Sequence, residues 1–312
     1  MRGVLKTQIG LAALAFAAGL LAGTAGAETN QPGTGPVCQA LFARAHWQPS
    51  PAPATQGAQA SQSPVEAALA ALTGDPETAR IAALEAAIHD TAVLAPREVY
   101  DGLWSVPDSA GRIVTRGSGA DLQVLVTVMT SEAALERFYK PGAKRKTPPG
   151  APRVWVTLAP EVRDWCRANT DWPNRDAKSQ AAAALRVMQL LGIPPGAGYS
   201  RFAEAWVSAS DLLRPCMDSQ IDDHHCNLSF RPDSPSAPEA SADYMCWFLG
   251  NASASYRPDG APWTRLGYTY DYGPRDDYGE SDVPYGASEF MLGPKATYEV
   301  TANFTMAEYC AE

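Results

Sequence analysis

Six cysteines, Cys38, Cys166, Cys216, Cys226, Cys246 and Cys310, are spread over a chain of 312 residues, and none lies in the first 37. An even set of thiols constrains the fold more than any other feature, provided the chain matures where thiols oxidise. The first residues predict that it does. Arg2 and Lys6 form a short positive region, Ile9 to Leu21 an apolar run, and Ala25-Gly-Ala27 a small-residue cleavage site. Together they predict a signal peptide over 1–27 and a periplasmic or extracellular protein. The apolar run is shorter than the roughly 20 residues that a membrane-crossing helix needs, and no later stretch predicts a span.

Six cysteines allow about 15 pairings, and spacing alone favours only one. Cys216 and Cys226 flank a turn-rich segment holding Pro215, Asp218, Asp222 and Asp223. A disulfide there would stabilise by roughly 3 kcal/mol in the chain-entropy model. Cys38 with Cys310 would tie the two ends, leaving Cys166 and Cys246. A metal site from Cys216, His224, His225 and Cys226 competes with the disulfide, but the close ligand pairs of zinc sites, CxxC or HxxxH, are missing.

Residues 28–63 read as a largely disordered polar and Pro-rich segment, since the tract Gln48 to Pro64 cannot bury enough apolar surface to fold. Within it Cys38 to Trp47 has the pattern of a short helix. The rest, 64–312, reads as one α+β domain that opens with a helical pair over 64–95. Ser63, Pro64 and Glu66 form a capping box for the first helix, and Asp75-Pro76 starts the second, with Ile81, Leu84 and Ile88 on one face. Strands are expected at 122–129, 153–158, 201–207, 227–230, 265–270, 287–292 and 296–304. Helices are expected at 132–139, 160–167, 176–191 and 241–253. Seven strands without regular helix alternation predict a disulfide-stabilised α+β fold, with a mostly antiparallel C-terminal sheet and flanking helices.

Five segments carry a resemblance: Arg153-Val-Trp-Val-Thr157, Leu190-Leu-Gly-Ile-Pro194, Asp211-Leu-Leu-Arg-Pro-Cys216, Pro262-Trp-Thr-Arg-Leu-Gly-Tyr-Thr-Tyr-Asp271 and Gly286-Ala-Ser-Glu-Phe290. Over roughly 97–310 the chain resembles an uncharacterised family of exported bacterial proteins with no assigned activity. The resemblance implies one fold unit and brings no catalytic residues.

Four groups of side chains are candidates for chemistry. Asp222, Asp223, His224 and His225 are the densest set of metal ligands and proton carriers, although adjacent histidines of an extended segment point to opposite faces. Asp271, Asp276, Asp277, Glu280 and Asp282 offer oxygens to a hard cation, without the spacing of an EF-hand. Asp271 and Glu289, each near a strand end, are the candidate catalytic pair, as two carboxylates can divide into acid and base. Arg265, Tyr268, Tyr270 and Tyr272 are the candidate binding residues, because ring faces and hydroxyls suit a saccharide or a peptide. A fifth group, Lys140, Lys144, Arg145 and Lys146, sits among prolines and glycines in an expected exposed loop that would meet an anionic partner or surface polymer.

With no Gly-rich phosphate loop, GxSxG elbow or HExxH helix, the leading expectation is a non-enzymatic binding or interaction protein of the bacterial envelope, whose partner is an envelope component, peptide or saccharide. The alternative is a metal-assisted hydrolase using Asp222, Asp223, Asp271 or Glu289 with His224 or His225. No cofactor is predicted; calcium or zinc is the ion these ligands would take. A net charge of −9 argues against nucleic acid as a partner.

Overall fold

A computed structural model describes residues 76–147, 153–197, 199–230, 242–274 and 283–312. The expected helix over 64–73, the Pro-rich tract, Cys38 and the acidic residues 276–282 lie outside these residues.

The fold is α+β, organised among the described residues by a nine-stranded sheet in which neighbouring strands pair antiparallel. Its strands are β1 (Thr115–Arg116), β2 (Gln123–Thr130), β3 (Lys144–Lys146), β4 (Val154–Leu158), β5 (Arg201–Ser208), β6 (Leu212–Leu213), β7 (Tyr268–Tyr270), β8 (Tyr285–Leu292) and β9 (Thr297–Thr305). The order across the sheet is β3-β9-β5-β2-β4-β8-β6, with β1 beside β2 and β7 beside β8. The sheet therefore draws on the whole described chain and not on its C-terminal part alone.

Both faces of this sheet are buried, which explains the weak alternation of its strands. Val124 and Val126 of β2, Val156 and Leu158 of β4, and Phe290 and Leu292 of β8 pack on one face, under the irregular segment that carries Trp104 and Val106. The other face carries Met129, Phe202 and Ala287 against the helices α3 (Ala159–Asn169), α4 (Ala177–Leu190) and α6 (Met306–Ala311). Asp176 caps α4 by accepting from Lys178 and Ser179 N–H, and Gly192, at φ +64°, ends it. The remaining helices are α1 (Pro76–Thr91), α2 (Glu132–Phe138) and α5 (Ala242–Ser255).

Four expectations need correction. On α1 the buried stripe is Ala83, Ala87 and Ile88, while Ile81 faces solvent. The expected strand over 227–230 does not form; the stretch follows the crosslinked Cys226, and the Asn227 side chain donates to the Asp218 carboxylate of the same loop. β7 begins only at Tyr268, because Arg265 (φ +60°) and Gly267 (φ +78°) make a turn ahead of it. Gly267 is required there, since a Cβ would stand 2.7 Å from Cys226 Sγ. Lys144–Lys146 is a sheet edge and not a loop, held by the register Lys144↔Glu299, Arg145↔Tyr298 and Lys146↔Thr297.

Cys216 and Cys226 are joined, with Cα atoms 6.3 Å apart. Cys310 pairs with Cys166, Cα to Cα 5.4 Å, and so is not the partner of Cys38. The reason is tertiary: α6 docks on α3, where Tyr309 stacks on Phe202 with centroids 3.9 Å apart and donates its hydroxyl to the Ala159 carbonyl. Cys246 is also disulfide-bonded, and no cysteine among the described residues is free.

Candidate functional site

The expected aromatic platform is a packing seam. Tyr268, Tyr270 and Tyr272 are 2%, 4% and 1% exposed, so no ring face is offered to a ligand. Their hydroxyls fasten neighbouring segments: Tyr268 donates to the Glu98 carbonyl, Tyr270 to an Asp90 carboxylate oxygen at 2.9 Å and Tyr272 to the Ile193 carbonyl. Arg265 donates to the carbonyls of Thr91 and Ala92 and lies over the Tyr256 ring. Tyr270 and Arg265 thus bind the end of α1 to β7 and the turn ahead of it, while Tyr268 and Tyr272 hold the segments at Glu98 and Ile193. A sequence with alternating tyrosines reads the same for either role, since burial depends on what covers the strand.

Asp271 and Glu289 do not form a pair. Asp271 N–H bonds to the Pro284 carbonyl, and Glu289 lies five residues further along β8, about 16 Å away at strand spacing. Asp271 is occupied by Arg186, which donates through Nη1 at 2.9 Å and Nη2 at 2.8 Å while stacking over Trp165. This bidentate, nearly dry ion pair ties α4 to the strand end. Glu289 points to the helical face of the sheet, where Oε2 is buried with no hydrogen-bond partner among the described residues. Burial raises its pKa well above the usual carboxylate range.

A second buried carboxyl escapes sequence reasoning. Glu161, in the first turn of α3, accepts from both Ser288 N–H and Ser288 Oγ–H at 2.9 Å, and Ser288 Oγ accepts from Trp104 N–H at 2.8 Å. Burial pushes the Glu161 pKa up to about 7, against the opposing pull of the Ser288 bonds and of Arg214 and Arg112. The combination of hydroxyl and carboxylate has the chemistry of a nucleophile and base, but Ser288 is only 2% exposed and its hydroxyl is not presented to a substrate. The pair joins α3, β8 and the segment before β1. Pro160-Glu161 signals a helix start; that the carboxyl turns inward follows only from the docking of Ser288 from 127 residues away.

The loop from Cys216 to Cys226 is organised from inside by Arg214, which is 0% exposed. Arg214 donates to the carbonyls of Gln220, Trp104 and Asp223 and stacks over Phe290; burial lowers its pKa to about 10. His224 is spent on this scaffold, Nδ1–H donating to the Leu103 carbonyl at 2.7 Å. Burial raises the pKa of Asp223, whose Oδ1 has no partner among the described residues. No group of three or more His, Cys, Asp or Glu side chains among the described residues could hold a metal ion, so Asp222, Asp223, His224 and His225 do not converge on one.

The exposed charge lies at the opposite edge of the sheet. Lys144, Arg145 and Lys146 of β3 are all exposed, with Lys140 and Arg137 beside them. Lys144 and Lys146 share one side of the strand, about 7 Å apart, and Arg145 takes the other. Neither Lys140 nor the three residues of β3 form an ion pair among the described residues. Next to them opens a depression of about 570 Å³ between α2 and β9, lined by Arg137 and Lys140 with Glu136, Leu135, Pro141 and Asn303. Lysines on an edge strand also keep it from pairing with other sheets.

No helix among the described residues is long and apolar enough to cross a membrane. No family model, curated protein or solved structure matches this chain.

Proposed function

We propose that this is an exported binding protein of the bacterial envelope, and that it holds an anionic saccharide polymer along its basic edge. The observation that carries the reading is the row Lys140, Lys144, Arg145 and Lys146, exposed and without ion-pair partners among the described residues, on a chain of net charge −9. At physiological ionic strength charges beyond about 8 Å are largely screened, so a bound chain feels this row and not the net charge. The leader expected over 1–27 and the paired cysteines support export to an oxidising compartment. Hydrolysis is the weaker reading, since Asp271 is held by Arg186 and His224 by Leu103.

The test is retention on an immobilised polyuronate, with neutral dextran as the control. The wild-type chain should be retained on the polyanion only, and released between about 50 and 300 mM salt as screening tightens. The charge-neutralising variant K144Q/R145Q/K146Q, which places no like charge opposite Glu299, should lose at least about tenfold in affinity, or 1.4 kcal/mol, with its unfolding midpoint little changed because these side chains are exposed. Equal retention of variant and wild type, or equal retention on dextran, refutes the reading.

A further inference from the structure

A row of cations holds any polyanion by charge alone, but the depression beside this row carries groups that charge does not require. Its volume of about 570 Å³ falls within the roughly 300–1,000 Å³ of small-molecule sites. We propose that this depression, between α2 and β9, is a sugar subsite that takes one uronate residue of the bound polymer and makes the edge prefer a saccharide to other polyanions. The subsite rests on the reading of the edge as a polysaccharide holder, and names what that edge selects.

Arg145 and the depression lie on one side of the sheet. Arg145 stands in register with Tyr298, so their side chains share a face. The Tyr298 ring meets that of Tyr139, the residue capping the end of α2, with centroids 6.2 Å apart. α2 in turn lines the depression through Glu136 and Arg137, and Asn303 reaches it from β9. A chain bound at Arg145 therefore has a path past the tyrosine pair to the depression, which Lys140, exposed and without an ion-pair partner among the described residues, also lines.

The lining suits an anion that also carries hydroxyls. Lys140 and Arg137 attract a carboxylate. Glu136 is exposed in the same lining, and a carboxylate repels an anion but accepts from a hydroxyl. A polymer of acidic amino acids has no hydroxyl to give it, whereas each uronate residue has more than one. Asn303 makes no side-chain hydrogen bond among the described residues, and its Oδ1 is buried without a partner. Such unmet groups are costly, and rotation about Cβ–Cγ offers a ring hydroxyl either the carbonyl acceptor or the NH2 donors. Ala133 and Pro141 add exposed apolar surface for the C–H face of the sugar.

Calorimetric titration of the purified full chain at low salt, with an oligogalacturonate and an oligoglutamate of equal charge, tests the subsite. Wild type should bind the oligogalacturonate at least about tenfold tighter, the difference a few hydrogen bonds make. Glu136→Ala, at an exposed helix position, separates sugar recognition from charge by sign. Loss of the acceptor should weaken the oligogalacturonate at least about threefold, while loss of the negative charge strengthens the oligoglutamate. Charge alone makes both bind tighter. Asn303→Ala should weaken the oligogalacturonate and spare the oligoglutamate, and K144Q/R145Q/K146Q should weaken both alike. Equal affinity of wild type for the two probes, or oligogalacturonate binding that E136A strengthens or leaves unchanged, overturns the subsite while the basic edge stands. Binding of neither probe by wild type overturns the edge as well.

Discussion

Replacing Glu161 by Gln changes how stability depends on pH, and the size of the change follows from the site. Gln keeps the Oε1 acceptor for Ser288 N–H and Oγ–H and nearly the same volume, but does not titrate. In the folded protein the Glu161 pKa is raised from 4.5 to about 7, so the native state binds the proton more tightly than the unfolded chain. The stability linked to that proton is fully present below about pH 4.5 and is lost as pH rises through 7. For a shift of this size the loss relative to acid pH is about 0.8 kcal/mol at pH 5 and about 3.3 kcal/mol at pH 8. The stability of E161Q relative to wild type should therefore rise by about 2.5 kcal/mol between pH 5 and pH 8. Any fixed cost of the amide is the same at both pH values and cancels, as does the contribution of Glu289, which titrates in both proteins. Urea unfolding followed by tryptophan fluorescence at pH 5, 6, 7 and 8, with disulfides intact, measures the difference directly. Parallel stability curves for the two proteins would show that Glu161 does not carry a proton into the fold.

Two further outcomes follow from the crosslinks and the buried ion pair. The Cys166–Cys310 bond closes a loop with sequence separation 144 and the Cys216–Cys226 bond one of 10, so in the chain-entropy model C166S/C310S should cost about 5 kcal/mol and C216S/C226S about 3; denaturant midpoints that reverse this order would refute it. Asp271→Asn removes one charge of a pair whose side chains are 11% and 3% exposed, leaving the Arg186 guanidinium nearly dry over Trp165, and should cost about 3–5 kcal/mol. A loss below about 1 kcal/mol, the range of surface pairs, would mean that water reaches Arg186.

Much of the element list is legible in the sequence because it is set by near neighbours. Asp176 capping α4, Gly192 ending it, the valine-rich alternation of β2, and a disulfide across a ten-residue turn each depend on a few adjacent side chains and backbone angles. Where local chemistry offers two outcomes, the chain alone does not choose. Lys144 to Lys146 became an edge strand because β9 supplied a ladder, whereas 227–230 found no strand to pair with and its Asn227 side chain bonds within the loop to Asp218.

The candidate sites were hardest to read for the same reason. Tyrosines, paired carboxylates and a Ser–Glu contact change meaning with burial, and burial is decided between segments far apart in sequence. Tyr270 meets Asp90 across 180 residues, Glu161 meets Ser288 across 127, and Cys166 finds Cys310 across 144. Composition and spacing determined which groups the chain owns and which helices, strands and turns it can form. Only the packing of helices on both a twisted sheet and each other decided which groups lost their water, because desolvation depends on everything that covers an atom and not on its neighbours along the chain.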